Sequence, residues 1–286
     1  YINRATKGVY ELGSVFKTFT LAAGLQQNVI QEDTLFKNLP KKIKCAGRSI
    51  SEYDMDIPSS LTAEEILIRS GNIGSIKIAQ KVGLENFKDF LENLDLLNKI
   101  QFDIEEVGNP IPFKWGKCKL ATSAYGHGIT TTPLQLAKAY AIIANGGYKI
   151  KPTLIKKEKN SKRGKQIISQ ENSNKINKIL RKIVTSEQGT ANLANIAGYE
   201  IAGKTGTAQK SIKGKYSKKK INTFASIFPI SSPKYVLIVL LDEPKLSETY
   251  IYEYNDGKKR KIIGTPFNTA GSVSYTHLTL PTTHDV

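Results

Sequence analysis

Three short motifs lie far apart in this chain, and any fold it adopts has to answer for all of them together. They are Ser14-Val15-Phe16-Lys17, Ser70-Gly71-Asn72 and Lys204-Thr205-Gly206-Thr207. In this order they supply the parts of a serine acyl-transfer site whose base is a lysine, not a histidine. The first pattern is weak by itself, because Ser-x-x-Lys recurs at Ser217 to Lys220 and at Ser231 to Lys234. The other two occur once each. Every motif alone has a plainer account: Ser14 as a helix N-cap, Ser70-Gly71-Asn72 as a turn between helices, Lys204-Thr205-Gly206 as an exposed strand end. The combination is what points to chemistry.

The spacing suits that chemistry. If Ser14 opens a helix, Lys17 lies one turn on and on the same face. Gly13 allows a close backbone approach before the serine, and Phe16, Phe19, Thr20 and Ala23 place small and apolar side chains at helical spacing. A serine hydroxyl is a poor nucleophile until a base takes its proton. Lysine does so only when neutral, and at its ordinary pKa about one in 2,500 is neutral at pH 7. Dehydration and a neighbouring cation both lower that pKa. Lys204 is expected to be that cation, and a downward shift of about three units corresponds to about 4 kcal/mol.

The flanking residues extend the pattern. Residues 3–6 (Asn-Arg-Ala-Thr), Tyr10-Glu11-Leu12-Gly13, Gly126-His127-Gly128-Ile129 and Thr132-Pro133-Leu134-Gln135-Leu136-Ala137 resemble class B penicillin-binding proteins. Glu106-Val107-Gly108, Pro110, Pro112, Trp115 and the run from Gly203 to Gln209 resemble the division-specific branch of that family. The likeness covers roughly residues 1–271, with Leu12 standing where many relatives have proline.

Membership would imply the following roles. Ser14 attacks the carbonyl of the penultimate D-alanine of a peptidoglycan stem peptide, and Lys17 is the base. Ser70 relays the proton to the leaving amine, and Asn72 holds Lys17 and the substrate amide. Lys204 adds positive potential; Thr205 and Thr207, with Gly206 between them, bind the terminal carboxylate. The N–H groups of Ser14 and Thr207 form the oxyanion hole, and an amine from a neighbouring strand completes the cross-link. The resemblance further implies β-lactams as inhibitors, no cofactor or metal, and a septal glycosyltransferase and other division proteins as partners. It places the domain at the periplasmic face of the inner membrane, held by an N-terminal anchor absent from this sequence.

Length and composition set bounds. At 286 residues and 40% hydrophobic content the chain suits one large domain or two intergrown subdomains. No apolar run approaches the ~20 residues of a membrane helix. A net charge of +17 invites a nucleic-acid reading. The lysines gather at 156–165, 210–220 and 258–261, which read as solvated loops without the regular aromatic interleaving of a single-strand binder. That surface suits anionic lipid or an acidic cell wall better than nucleic acid. Cys45 and Cys118 show no metal spacing and establish neither a bond nor a compartment. Residues 272–286 lack lysine and hold two of the three histidines; they read as a non-native tail after a transpeptidase domain of residues 1–271 that is truncated at both ends.

Periodicity predicts an α/β (α+β) fold. Thr62-Ala63-Glu64-Glu65 is a capping box whose helix delivers Ser70. A second helix runs from Asn72 to Val82 and ends at Gly83; a third starts at Thr132-Pro133 and reaches Asn145-Gly146-Gly147; a fourth spans 173–186. Residues 199–209, 222–228 and 235–241 read as strands of an antiparallel sheet, separated by a lysine-rich loop and a proline-bounded turn. The expected architecture is an antiparallel sheet flanked by helices beside an all-helical subdomain, of the penicillin-binding-protein and serine β-lactamase kind, with the motifs meeting in the cleft between them.

Rival functions share the motifs. A serine β-lactamase adds a glutamate that activates water, and Glu105 with Asn109 superficially mimics that arrangement, although Gly71 replaces the aspartate of the common lactamase motif. A D,D-carboxypeptidase lacks the Thr132-Pro133-Leu134-Gln135 signature, and a non-catalytic β-lactam sensor carries a signalling membrane module. A triad hydrolase fails because His127 is the only histidine before the tail and there is no Gly-x-Ser-x-Gly. His127, between two glycines, reads as a packing or turn residue.

Overall fold

One helix is buried on every side. In α1 (Lys17–Gln26) each residue from Lys17 to Leu25 is buried, the pattern of a central helix and not of a surface one. In this computed structural model, which describes residues 2–156, 163–212, 215–244, 251–253 and 259–261, the other elements are laid around it. α1 packs against α2 (Ala63–Ile68), α3 (Asn72–Val82), α4 (Leu84–Asn93) and α7 (Gln170–Thr185).

The main sheet is antiparallel, with β5 (Ala202–Ile212) paired to β6 (Lys215–Phe228) and β6 to β7 (Tyr235–Asp242). α7 lies over β5, and α6 (Pro133–Ala144) over β6 and β7. Ile176, Ile179, Leu180 and Ile183 recur at helical spacing on α7 and are all buried, so one stripe of this helix faces the core while its lysines face water. Short ladders complete the described residues. β1 (Leu35–Phe36) pairs with β4 (Leu61–Thr62), β2 (Lys42–Cys45) with β3 (Arg48–Ser51), and β8 (Ile251–Glu253) with β9 (Lys259–Lys261). No helix among the described residues is long and apolar enough to cross a membrane.

Local signals account for several boundaries. Thr62 and Glu65 close a reciprocal capping box on α2, and Thr132 and Gln135 do the same on α6, with Pro133 in its first turn. α3 stops at Gly83, whose φ of +82° suits glycine. The α/β expectation of an antiparallel sheet flanked by helices, with a helical part beside it, holds.

Four details differ from the sequence reading. Ser14 lies in a 3₁₀ turn, Gly13–Phe16, and α1 begins only at Lys17; three residues per turn still put the two side chains on one side. α7 begins earlier than expected, because Ser169 is its cap and Ser173 is an interior residue that donates to the Ile143 carbonyl. The lysine-rich stretch at 210–220 is mostly strand, as β5 and β6 continue into it; backbone pairing along the ribbon leaves lysine side chains such as Lys218 and Lys219 exposed to water. β9 likewise claims part of the third basic cluster. The tail, 272–286, lies outside the described residues.

The two cysteines are joined. Cys45, at the end of β2, bonds Cys118 in α5 (Lys117–Ser123), with Cα atoms 5.6 Å apart across a sequence separation of 73. Neither local spacing nor composition indicated this pair. Closing a loop of that length removes chain entropy from the unfolded state, an effect of about 2–4 kcal/mol for typical disulfides. A Cys45→Ser/Cys118→Ser double variant is therefore expected to lose about that much stability, read as a lower urea midpoint; the wild-type midpoint should fall similarly with reductant, and the variant's should not move.

Candidate active site

The turn bearing Ser14 is fixed from below and from the side. Tyr140 of α6 donates its hydroxyl to the Val15 carbonyl at 3.1 Å and pairs with Thr18 Oγ1 at 2.9 Å, fully buried against the edge of Phe19. Strand β5 presses on the same turn. A methyl group on Gly206 would come within 2.3 Å of the Leu12 carbonyl, and one on Gly13 within 2.5 Å of the Thr207 carbonyl. Only residues without a side chain permit that approach, and Gly13 also has φ +64°. The glycines therefore bring the first and third motifs into contact, so that the Ser14 and Thr207 backbones run side by side.

The second motif arrives from the opposite wall. Ser70 occupies the turn between α2 and α3 with φ +60°, a left-handed conformation that costs a non-glycine residue about 1–3 kcal/mol and is held by its surroundings. Lys17 Nζ donates to the Ser70 carbonyl at 2.5 Å and lies 3.1 Å from Ser70 Oγ. Lys204 Nζ lies 3.0 Å from the same Oγ and 3.0 Å from the Thr205 carbonyl. One hydroxyl is thus shared by two lysines, at 2% and 0% exposure.

Burial is the leading electrostatic force here. It pulls the Lys17 amine from the usual lysine value down to about 7, while the Glu52 carboxylate works in the opposite direction. Lys204 is pushed well below the usual value, by burial first and then by Lys17. Of the two causes expected, dehydration and a neighbouring cation, dehydration is the one that lowers Lys17, and Lys204, the candidate cation, is itself depressed. Two buried amines sharing one oxygen disfavour the doubly charged state, so each is driven toward its neutral form.

These groups open onto a cleft of about 950 Å³, walled in part by Ser14, Lys17, Ser70, Asn72, Gly206 and Thr207. Thr205 also lines it and donates to Thr190 Oγ1 at 2.8 Å. Lys204 lies beneath the wall. Asn72 Nδ2 donates to the Ser51 carbonyl at 2.9 Å, and the Lys17 amine bonds the carbonyl and hydroxyl of Ser70 where a bond to Asn72 Oδ1 was expected. The rival Ser-x-x-Lys serines are engaged elsewhere, Ser217 Oγ with the Lys210 carbonyl and Ser231 Oγ with the Glu200 carboxylate. Glu105 lies on a separate cavity with Lys99, Asp103 and Lys151.

Some site residues gave no readable signal in the sequence. Glu52 and Thr190 belong to no motif, and only the folded chain sets them beside the cleft. His127 is more than a turn residue. Its ring stacks between Tyr125 and Tyr216 at 5.8 and 4.5 Å, lines the cleft, and sits 3.8 Å from the Glu11 carboxylate. Tyr216 also donates to Glu11, which ties the β5–β6 ribbon to the residue three positions before Ser14.

The family model described as the penicillin binding protein transpeptidase domain matches residues 1–268. The chain is 33% identical over 255 residues to the probable peptidoglycan D,D-transpeptidase FtsI of Caulobacter vibrioides, covering 85% of this chain and 43% of that protein. It is 29% identical to the probable peptidoglycan D,D-transpeptidase PenA of Neisseria flavescens, covering 87% and 62%. It spans about half the length of these curated relatives. Among solved structures, the transpeptidase domain of Burkholderia pseudomallei penicillin-binding protein 3 superposes with a TM-score of 0.81 at 26% identity, covering 98% of this chain and 82% of that one. Penicillin-binding protein 3 of Mycobacterium tuberculosis, complexed with aztreonam, superposes with a TM-score of 0.76 at 26% identity, covering 85% and 58%. Motifs, fold and comparisons agree: the chain belongs to the penicillin-binding protein transpeptidase family.

Proposed function

We propose that this cleft is the acylation site of a serine-type peptidoglycan D,D-transpeptidase and a target of β-lactams. The observation that carries the reading is the single Ser70 hydroxyl held between the buried Lys17 and Lys204 amines, in the cleft that Ser14 lines. Neutral Lys17 takes the Ser14 proton as Oγ bonds to the carbonyl carbon of the penultimate D-alanine. The N–H groups of Ser14 and Thr207 receive the oxyanion, an effect of about 3–4 kcal/mol per donor in serine enzymes. As the C–N bond breaks, Ser70 hands a proton to the departing D-alanine amine and is resupplied from the lysine pair. Thr205 and Thr207 hold the terminal carboxylate, Thr205 steadied by Thr190. An amine of a second stem peptide then attacks the acyl-enzyme and restores Ser14.

Similarity to proteins named FtsI and PenA supports a septal role, with division proteins and a glycosyltransferase as partners. The disulfide supports an oxidising compartment, in keeping with the outer face of the cytoplasmic membrane. The β-lactamase reading loses its candidate glutamate, because Glu105 faces a different cavity and Asn109 accepts from the Lys99 N–H.

A fluorescent penicillin is expected to label Ser14 and to stay attached for many minutes, read by intact mass and peptide mapping. Labelling at Ser217 or Ser231, or rapid turnover to penicilloate, would refute the transpeptidase reading. The acylation rate is expected to rise with pH through a midpoint near 7, since Lys17 is a base only when deprotonated and its amine is held at about 7. Lys17→Arg keeps the charge and cannot become neutral, so stopped-flow acylation should slow by roughly 10²–10⁴-fold; normal rates in that variant would remove Lys17 as the base.

A further inference from the structure

Helix α3 is capped from a distant part of the chain. Its N-cap, Gly71, has no side chain to satisfy the first N–H groups. The Glu52 carboxylate does so instead, accepting from Asn72 N at 2.6 Å and Ile73 N at 2.8 Å while only 7% exposed. An ionised acceptor at the positive end of a helix makes strong, short bonds. Ser51, the residue before it, takes the Asn72 side-chain amide. Backbone and side chain of Asn72 are therefore both held by two consecutive residues at the end of β3.

The same carboxylate lines the catalytic cleft and acts on Lys17. The groups facing Lys17 are Ser70 from the α2–α3 turn, Lys204 from β5 and Glu52 from the end of β3. The remaining charged side chains on the cleft walls are Asp54, Arg69, Glu187 and Lys220. Glu52 is thus the carboxylate that opposes the dehydration of Lys17.

We propose that Glu52 is a positioning residue for Ser14 acylation, pinning the amino end of α3, and with it Ser70 and Asn72, while setting a negative charge against the Lys17 amine. The proposal rests on the acyl-transfer reading of the cleft. A base is most effective when its pKa is close to the working pH. Without Glu52 the buried amine gives up its proton more readily and becomes a poorer acceptor. If Glu52 served only to cap the helix, a neutral residue in its place would weaken the amino end of α3 and leave the titration of Lys17 where it is, which separates this role from a purely structural one.

The test is the acylation rate with a fluorescent penicillin, measured from pH 5 to 10, for the wild-type chain, Glu52→Gln and Glu52→Asp, with thermal unfolding of each. Glu52→Gln keeps the size, loses the charge and leaves one acceptor oxygen for the two N–H groups that Oε1 and Oε2 hold, so its thermal stability is expected to fall while the midpoint reports the charge. Its acid limb is expected to move to lower pH by about one unit or more, and its plateau rate to fall about tenfold, the loss expected of a weaker base. Glu52→Asp restores the charge and is expected to return the midpoint to the wild-type position. A Glu52→Gln profile with its midpoint unmoved overturns the proposal, whatever the rate. So does a Glu52→Asp midpoint displaced downward, which decides the matter should Glu52→Gln fail to fold. A wild-type chain that is not acylated at Ser14 removes the acyl-transfer reading itself, and this proposal with it.

Discussion

Two buried lysine amines meet one serine hydroxyl at the wall of the cleft, and much of the architecture serves that meeting. An isolated buried ammonium is so unfavourable that it neutralises in preference to staying charged. In the proposed mechanism this is an advantage, because the dehydration that would count against a structural lysine gives Lys17 the neutral amine a base requires. It works only if Lys17, Ser70 and Lys204 are held together firmly enough to exclude solvent. Three unconnected elements have to arrive at fixed positions, α1 from the core, the α2–α3 turn from the helical side and β5 from the sheet.

The supporting interactions follow from that requirement. α1 is enclosed on all sides, and that burial takes in Lys17, its first residue, whose amine meets Ser70. Gly13 and Gly206 lack side chains because the sheet has to touch the serine turn. Ser70 tolerates a left-handed backbone because its carbonyl and hydroxyl are both engaged by lysines. Tyr140, fully buried, spends its hydroxyl on the turn bearing Ser14. Each of these features is costly or restrictive alone and makes sense only through the site.

What could be read from the chain was what is encoded locally. Capping boxes at Thr62 and Thr132, the glycine after α3 and the continuous strand-length apolar run in β7 are short-range signals, and the structure follows them closely. The motif residues were legible because their chemistry is written in three or four consecutive positions. Long-range partnerships were not. Glu52 caps α3 across twenty residues, Cys45 meets Cys118 across 73, and Thr190 reaches Thr205 from another loop. The lysine ribbon was misread because charge density suggested a loop, whereas strand pairing depends on a partner that composition does not reveal. Dehydration was one of the two causes expected to lower Lys17, but its dominance over the neighbouring Lys204 could not be read from the motifs, because burial is a property of the fold.

The disulfide turns the middle of the chain into a closed ring. Between Cys45 and Cys118 lie Glu52, Ser70 and Asn72 together with helices α2, α3 and α4. Within that ring Tyr53 and Met55 stand 68% and 58% exposed, in a stretch beside the cleft where a protease finds ready access. A cut there divides the backbone into one piece bearing Ser14 and Lys17 and another bearing Ser70 and Lys204. The sulfur bridge leaves the two pieces a single covalent molecule, so a nicked enzyme can keep its catalytic groups assembled until it meets a reductant.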